Sequence, residues 1–268
     1  MLCYNTYMKI GISTACLYLR QNTEDAISTI KSFGAQTAEI FLGTFYEYRP
    51  EFAKKFAPRA EGMEINSVHT FTNNFEPQIF NRSRRVRGDG YYWLDQLMRS
   101  AQLFGCKNYT FHGITRKGEN QPSNFDLFAE SLASATEFCS RYGVRLCLEN
   151  VFWSTYNRPG VFNEIKNRFD GLWGVFDIKQ ARRSGYPYAM YIEEMAGRIS
   201  HAHLSDVDAN GKICLPGFGL YDFTEIIKRL KGTGFDGNIL IEVYPEDYGD
   251  ISELKASLEF LKETADKI

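Results

Sequence analysis

The chain has 268 residues, 44% of them hydrophobic and 15% aromatic, which is material for a large core and close to the ~250 residues of a (β/α)₈ barrel. A formal charge of -2 provides no overall field for a polyanion, so nucleic acid is not an expected partner. No stretch reaches the ~18 apolar residues needed to cross a bilayer, so no membrane partner is expected either.

The opening MLCYNTYMK lacks the apolar run of a signal peptide, which makes cytoplasmic localisation the default expectation. Met8 is an alternative start that would leave residues 1–7 as a disordered lead. A first strand is expected over 9–14 (KIGIST), then a helix opening near Asn22, Thr23 and Glu24 and closing at Gly34, with a capping residue at its start and glycine at its stop. Strands follow over 37–42 (TAEIFL) and 65–70 (INSVHT). The local basic run Arg82, Arg84, Arg85 and Arg87 could contact a phosphate, but it reads first as a solvated loop and helix start. A helix over 90–104 carries Leu94, Leu97, Met98, Ala101 and Leu103 at near-helical spacing and stops at Gly105.

The fourth strand is 108–113 (NYTFHG), followed by a helix whose apolar side includes Phe128, Leu132, Ala135 and Phe138. Further strands are 145–150 (RLCLEN), 173–177 (WGVFD), 199–206 (ISHAHLSD) and 238–245 (NILIEVYP). A helix over 222–231 joins the last two strands, and 251–268 supplies the final one. Eight strands in strict alternation with eight helical segments imply an α/β fold with a parallel sheet. The absence of a GxGxxG fingerprint favours a closed (β/α)₈ TIM barrel over a doubly wound open sheet. No linker divides residues 1–268, which read as a single domain. Cys3, Cys16, Cys106, Cys139, Cys147 and Cys214 form no CxxC pair and read as reduced thiols.

Function is suggested by where the ionisable residues fall. Strands three to eight each end in, or nearly in, a metal-ligating type: His69, His112, Glu149, Asp177, His203 and Glu242. In a barrel these positions converge on the C-terminal mouth, where active sites sit. Carboxylates flanked by RLCL and LIEV would repel one another there, and a divalent cation removes that cost. Any one of them could instead be a helix cap or a salt-bridge partner. His201 is expected on the helix-facing side, opposite His203, which shares parity with Ser205.

The chain resembles the xylose isomerase-like barrel superfamily, which includes sugar isomerases and epimerases, inosose dehydratase-like enzymes and endonuclease IV-type nucleases. The resemblance rests on Glu149-Asn150 in LCLEN, Asp177 in GVFDIKQA, His203 in HAHLSD, Pro216, Gly217 and Gly219 in LPGFG, and Glu242 in ILIEVYP. It implies a metal set of Glu149, Asp177, His203 and Glu242. His69 and His112 correspond to the histidines that help bind a second metal in the nuclease branch, or they contact substrate. Two departures matter. Gln180 replaces the histidine of the common Asp-x-x-His, and GFGLYDF lacks the histidine of a third metal site. A trinuclear nuclease centre is therefore not implied. The arginine common beyond the strand-seven histidine is absent, and Lys212 is the nearest cation.

The leading expectation is a divalent-metal-dependent isomerase or epimerase acting on a small-molecule carbohydrate: a sugar, keto sugar or polyol. The metal would act as a Lewis acid that stabilises an enediolate, with Glu149 and Glu242 as general base and acid. The ligand set suits Mn²⁺, Co²⁺ or Mg²⁺, and participation of both His69 and His112 would favour Zn²⁺. Gln180, Trp153, Phe71 and Lys212 are candidate substrate contacts, with Phe152 and Tyr156 as further aromatic candidates. The rival readings are a binuclear phosphoester hydrolase on His69, His112 and Glu149, and a dehydratase or a non-catalytic sugar binder on the same scaffold. A homo-oligomer is a possible assembly.

Overall fold

The structure is a computed structural model that describes residues 8–115 and 125–268. The expected lead at 1–7 and residues 116–124 lie outside the described residues. The first seven strands are β1 (Ile10–Ser13), β2 (Thr37–Leu42), β3 (Glu64–Thr70), β4 (Asn108–Phe111), β5 (Arg145–Glu149), β6 (Trp173–Asp177) and β7 (Ile199–Leu204). A small antiparallel pair, β8 (Asp206–Val207) and β9 (Ile213–Cys214), precedes β10 (Asn238–Ile241). Strands β1 to β7 and β10 close a parallel barrel in the order β1-β10-β7-β6-β5-β4-β3-β2. The seam is the pairing of Ile10, Gly11 and Ile12 with Ile239, Leu240 and Ile241.

Helices cover the outside. α1 (Thr23–Ser32) turns Ala26, Ile27 and Ile30 inward, a spacing that lines one face of a helix. α2 (Pro50–Phe56) follows β2 and begins with proline, which has no N–H to leave unsatisfied there. Between β3 and β4 lie α3 (Thr72–Ile79) and the long α4 (Arg84–Phe104), which ends on Gly105 in the left-handed conformation. α5 (Phe125–Ser140) and α6 (Val161–Lys166) flank β5; α7 (Ile178–Arg183) and α8 (Tyr188–Glu194) follow β6. α9 (Phe223–Gly232), capped by the Asp222 side chain, and α10 (Ser252–Asp266) complete the layer.

Two sequence expectations are corrected here. The alternation is not strictly one helix per strand, because two α-helices occupy both the β3–β4 and the β6–β7 connections. The seventh strand also ends at Leu204 rather than at Asp206. Asp206 is buried, and its carboxylate accepts backbone N–H groups from Val207, Gly217, Gly219 and Tyr221. It folds the LPGFG segment beside the mouth instead of extending the barrel. At Gly219 an added Cβ would lie 2.4 Å from the Val207 carbonyl oxygen, so glycine is required for this approach.

Alternate residues of each strand face the barrel interior. Barrel interiors are usually filled by branched apolar side chains. Here the interior contains Ser13, Glu39, Ser67, Thr110 and His201, all buried and joined through Glu39. The expected outward orientation of His201 is therefore overturned. His201 and His203 are two residues apart in a strand and share one face, so both point inward.

Candidate metal centre and adjoining cavity

Four neighbouring strands bring the expected ligands together. Glu149 ends β5 and Asp177 ends β6. The Asn150 side chain locks these ends in register, donating to the Asp177 carbonyl at 2.8 Å and accepting from the Asp177 N–H at 2.8 Å. Asp177 then caps α7, with Oδ1 accepting from the Gln180 N–H at 2.8 Å. Its other oxygen, Oδ2, is buried and has no hydrogen-bond partner. His203 projects from β7, and Glu242 follows β10, its N–H held by the Leu204 carbonyl at 3.1 Å.

Glu149, Asp177, His203 and Glu242 each offer one ligand atom, and these atoms lie within 4.8 Å of one another. His203 Nδ1 is 3.0 Å from Glu149 Oε1 and 4.0 Å from Asp177 Oδ2, and it also contacts Glu242 Oε2. Asp177 Oδ2 is buried without a hydrogen-bond partner, and Glu242 Oε2 is buried with that His203 nitrogen against it. Unsatisfied carboxylate oxygens in a buried site are costly unless a cation compensates them. Three carboxylates and one imidazole nitrogen fit a divalent ion of the Mn²⁺, Co²⁺, Mg²⁺ or Zn²⁺ type.

A second group adjoins the first. His112 Nε2 lies 3.1 Å from Glu149 Oε2 and 2.9 Å from His69 Nε2. Thr72 Oγ1 meets His112 Nδ1 at 2.5 Å. His69, His112 and Glu149 thus form another set with metal-compatible geometry.

Charge sets the protonation of the cluster. Burial resists ionisation of Glu242, but His203 and then Lys179 outweigh it and hold the carboxyl down at about 2. Asp177 goes the other way: burial raises it to about 7, and the nearby Glu149 and Glu242 add to the rise against the pull of Lys179. Burial also resists ionisation of Glu149, yet His112 and His203 hold it well below the usual carboxylate range. His112 is pushed up to about 10, because Glu149 and Glu76 overcome the effect of burial.

Two residues of the centre were not singled out from the sequence. Lys179 is 1% exposed, and its Nζ lies 3.6 Å from Asp177 Oδ2 and 3.8 Å from Glu242 Oε1 with no hydrogen-bond partner. Glu39, on β2, is fully buried and meets both His69 and His203. The available signals were a lone carboxylate inside the otherwise apolar TAEIFL and a lysine two residues beyond a candidate ligand.

Above the cluster is a cavity of about 690 Å³ whose lining includes Glu149, Glu242, His69, His112, Gln180, Trp153, Phe71 and Tyr244. Trp153 is tilted over His112 with ring centroids 5.5 Å apart, and Phe71 packs edge-on against Tyr18 and Phe41. Gln180 Oε1 is buried without a partner. Lys212 is exposed on the turn between β8 and β9 and does not line this cavity, contrary to expectation; its ammonium points to the Glu246 carbonyl instead. Tyr156 is also displaced from its expected place: it is fully buried against Phe162 and Tyr191, with its hydroxyl on Glu194. Arg82, Arg84 and Arg85 are exposed at the start of α4.

The profile of the xylose isomerase-like TIM barrel family matches residues 27–264. The chain belongs to that family. The uncharacterized protein MJ1311 of Methanocaldococcus jannaschii is 26% identical over 272 residues, covering 96% of this chain and 89% of its own. Among solved structures, D-psicose 3-epimerase from Clostridium cellulolyticum H10, crystallised with D-tagatose, superposes with a TM-score of 0.77 at 16% identity, covering 96% of this chain and 99% of that one. The probable 3-DHS dehydratase AsbF of Bacillus anthracis gives a TM-score of 0.75 at 15% identity, covering 95% and 99%. The scaffold of this family member is therefore shared by a sugar epimerase and a dehydratase.

Proposed function

We propose that this protein is a divalent-metal-dependent isomerase or epimerase of a sugar, keto sugar or polyol. The observation that carries the reading is the convergence of Glu149, Asp177, His203 and Glu242 beneath the cavity, with Asp177 Oδ2 buried and without a hydrogen-bond partner. When bound there, a divalent ion supplies Lewis-acid polarisation of a substrate carbonyl. The remaining steps belong to the chain. Glu149 and Glu242 both reach the cavity, so one takes the proton from the carbon next to the carbonyl and the other returns it. Both are held ionised, so either can serve as the base; its partner must first take a proton from solvent or a substrate hydroxyl before it can return one. His112 contacts Glu149 Oε2 and can orient that carboxylate. Gln180 presents its buried amide oxygen to a substrate hydroxyl, and Trp153 and Phe71 offer apolar faces to sugar C–H groups. Such a pocket needs no nucleic acid or membrane.

The likeness in scaffold to D-psicose 3-epimerase supports this reading. The test is incubation of the Mn²⁺-loaded protein with a panel of ketoses and inososes in D₂O. Deuterium entering the carbon beside the carbonyl is the expected result. Substrate turnover without it, or full activity after chelation, refutes the proposal. A dehydratase is the second reading, supported by the likeness to AsbF, and the same experiment detects it as loss of water from the substrate.

A further inference from the structure

We infer that Glu39 is a positioning residue that fixes the proton on His203 Nε2 and so keeps His203 Nδ1 as the nitrogen offered to the metal. This rests on the metal reading proposed above. An imidazole can present either nitrogen, and the hydrogen bond made by one decides the role of the other. On the metal side, His203 Nδ1 is the atom that faces Glu149, Asp177 and Glu242. On the far side, His203 Nε2 lies 3.3 Å from Glu39 Oε2. A carboxylate is acceptor-only, so Nε2 donates in this contact. Nδ1 faces carboxylates too and donates to them without a metal, and it is the Nδ1 proton, not the one held by Glu39, that a metal would displace.

Glu39 also lies within ligand distance of His201 and His203, and of His69 and Glu242. It is fully buried below the cavity and is absent from its lining, so it does not touch substrate. Its Oε2 also accepts from Ser67 Oγ at 2.8 Å and Thr110 Oγ1 at 2.6 Å, and His201 Nε2 approaches at 3.5 Å. Its Oε1 accepts from Ser13 Oγ at 3.0 Å and from His69 Nδ1 at 3.0 Å. With Nδ1 of His69 donating, Nε2 of His69 is left with its lone pair towards His112 Nε2, 2.9 Å away. One carboxylate thus sets the tautomer of a histidine in each of the two adjoining groups. The hydroxyls of Ser13, Ser67 and Thr110 hold it from strands β1, β3 and β4, which keeps it from rotating away.

The experiment compares Mn²⁺ affinity by calorimetry in the wild-type protein, Glu39→Gln, and Ser67→Ala. Glutamine keeps the shape but must turn its NH₂ towards one set of these donors. Glu39→Gln is expected to lose about 10- to 100-fold in Mn²⁺ affinity. Ser67→Ala removes one of three hydroxyl donors, leaves the carboxylate charge in place, and is expected to lose much less Mn²⁺ affinity than Glu39→Gln. In parallel, ¹⁵N-histidine NMR of the Zn²⁺-loaded wild type is expected to show His203 protonated at Nε2. A folded Glu39→Gln protein with wild-type affinity overturns the inference alone, as does a Zn²⁺-loaded wild type whose His203 lacks the Nε2 proton. Where Glu39→Gln does not fold, the NMR measurement can still overturn the inference. A wild-type protein that binds no Mn²⁺ removes the metal reading, and this inference with it.

Discussion

Replacing Lys179 with methionine tests how the carboxylate cluster is held together without metal. The ammonium is 3.6 Å from Asp177 and 3.8 Å from Glu242, with 1% of the lysine exposed. At an effective dielectric of ~20, each attraction amounts to about 4–5 kcal/mol. Burying the lysine offsets much of this, since desolvating an ion costs several kcal/mol. Removing one partner of a buried ion pair nevertheless costs about 3–5 kcal/mol, because the other charge is stranded. Asp177 limits the loss: burial already holds its carboxyl at about 7, so it can take up a proton near neutral pH at little cost. Glu242, held at about 2, has no such escape.

The expected result for Lys179→Met is a fall of about 3 kcal/mol in EDTA, on the order of 10 °C in melting temperature for a chain of this size. Saturating Mn²⁺ should restore most of it, because the added ion replaces the missing charge. Melting followed by circular dichroism, with and without Mn²⁺, reads both effects. An unchanged melting temperature in EDTA would show that the lysine contributes no net stabilisation and would refute this electrostatic account.

Further outcomes are expected. Glu149→Gln and Glu242→Gln should each lower turnover of an accepted sugar by about 10²- to 10⁴-fold, read as solvent deuterium exchange; unchanged exchange in either variant removes that residue from proton transfer. Metal-free stability should fall as pH rises from about 6.5 to about 10: His112 keeps its proton in the folded state up to about 10 and loses it near ~6.5 when unfolded, so its contribution is full below the lower value and lost through the upper one. The slope from this group is at most about 1.4 kcal/mol per pH unit, and a flat profile over this window in denaturant titrations would contradict it. Cys16, Cys106 and Cys147 are buried, with thiols pushed up to about 12 by burial. Mapped alkylation near pH ~8 should therefore leave them unlabelled in the native protein and label them in denaturant.

Much of the barrel is legible in residue order because each strand is a short apolar run whose last residue changes character. RLCLEN and WGVFD end on Glu149-Asn150 and Asp177, and the structure places these residues side by side. α3 was not legible: TNNFEPQI contains Pro77 and only Phe75 and Ile79 at helical spacing, so local pattern is weak and packing decides. The end of β7 was missed because Asp206 looks like a strand terminus until its four backbone donors are seen. The inward face of His201 was open to simple counting by twos and was misassigned. Glu39 escaped notice because a polar residue within a strand usually marks a solvent-facing side, whereas both faces of β2 are covered. Lys212 is one of the few cations near the mouth in sequence, but the β8–β9 turn carries it away from the cavity.

The four candidate ligands come from residues 149, 177, 203 and 242, so no local fragment can assemble them. Glu242 reaches its partners only once β10 has docked beside β7, and β10 also forms the seam with β1. An ion captured by all four groups would therefore report ring closure itself, and its release under denaturant would coincide with global opening rather than with fraying of one helix.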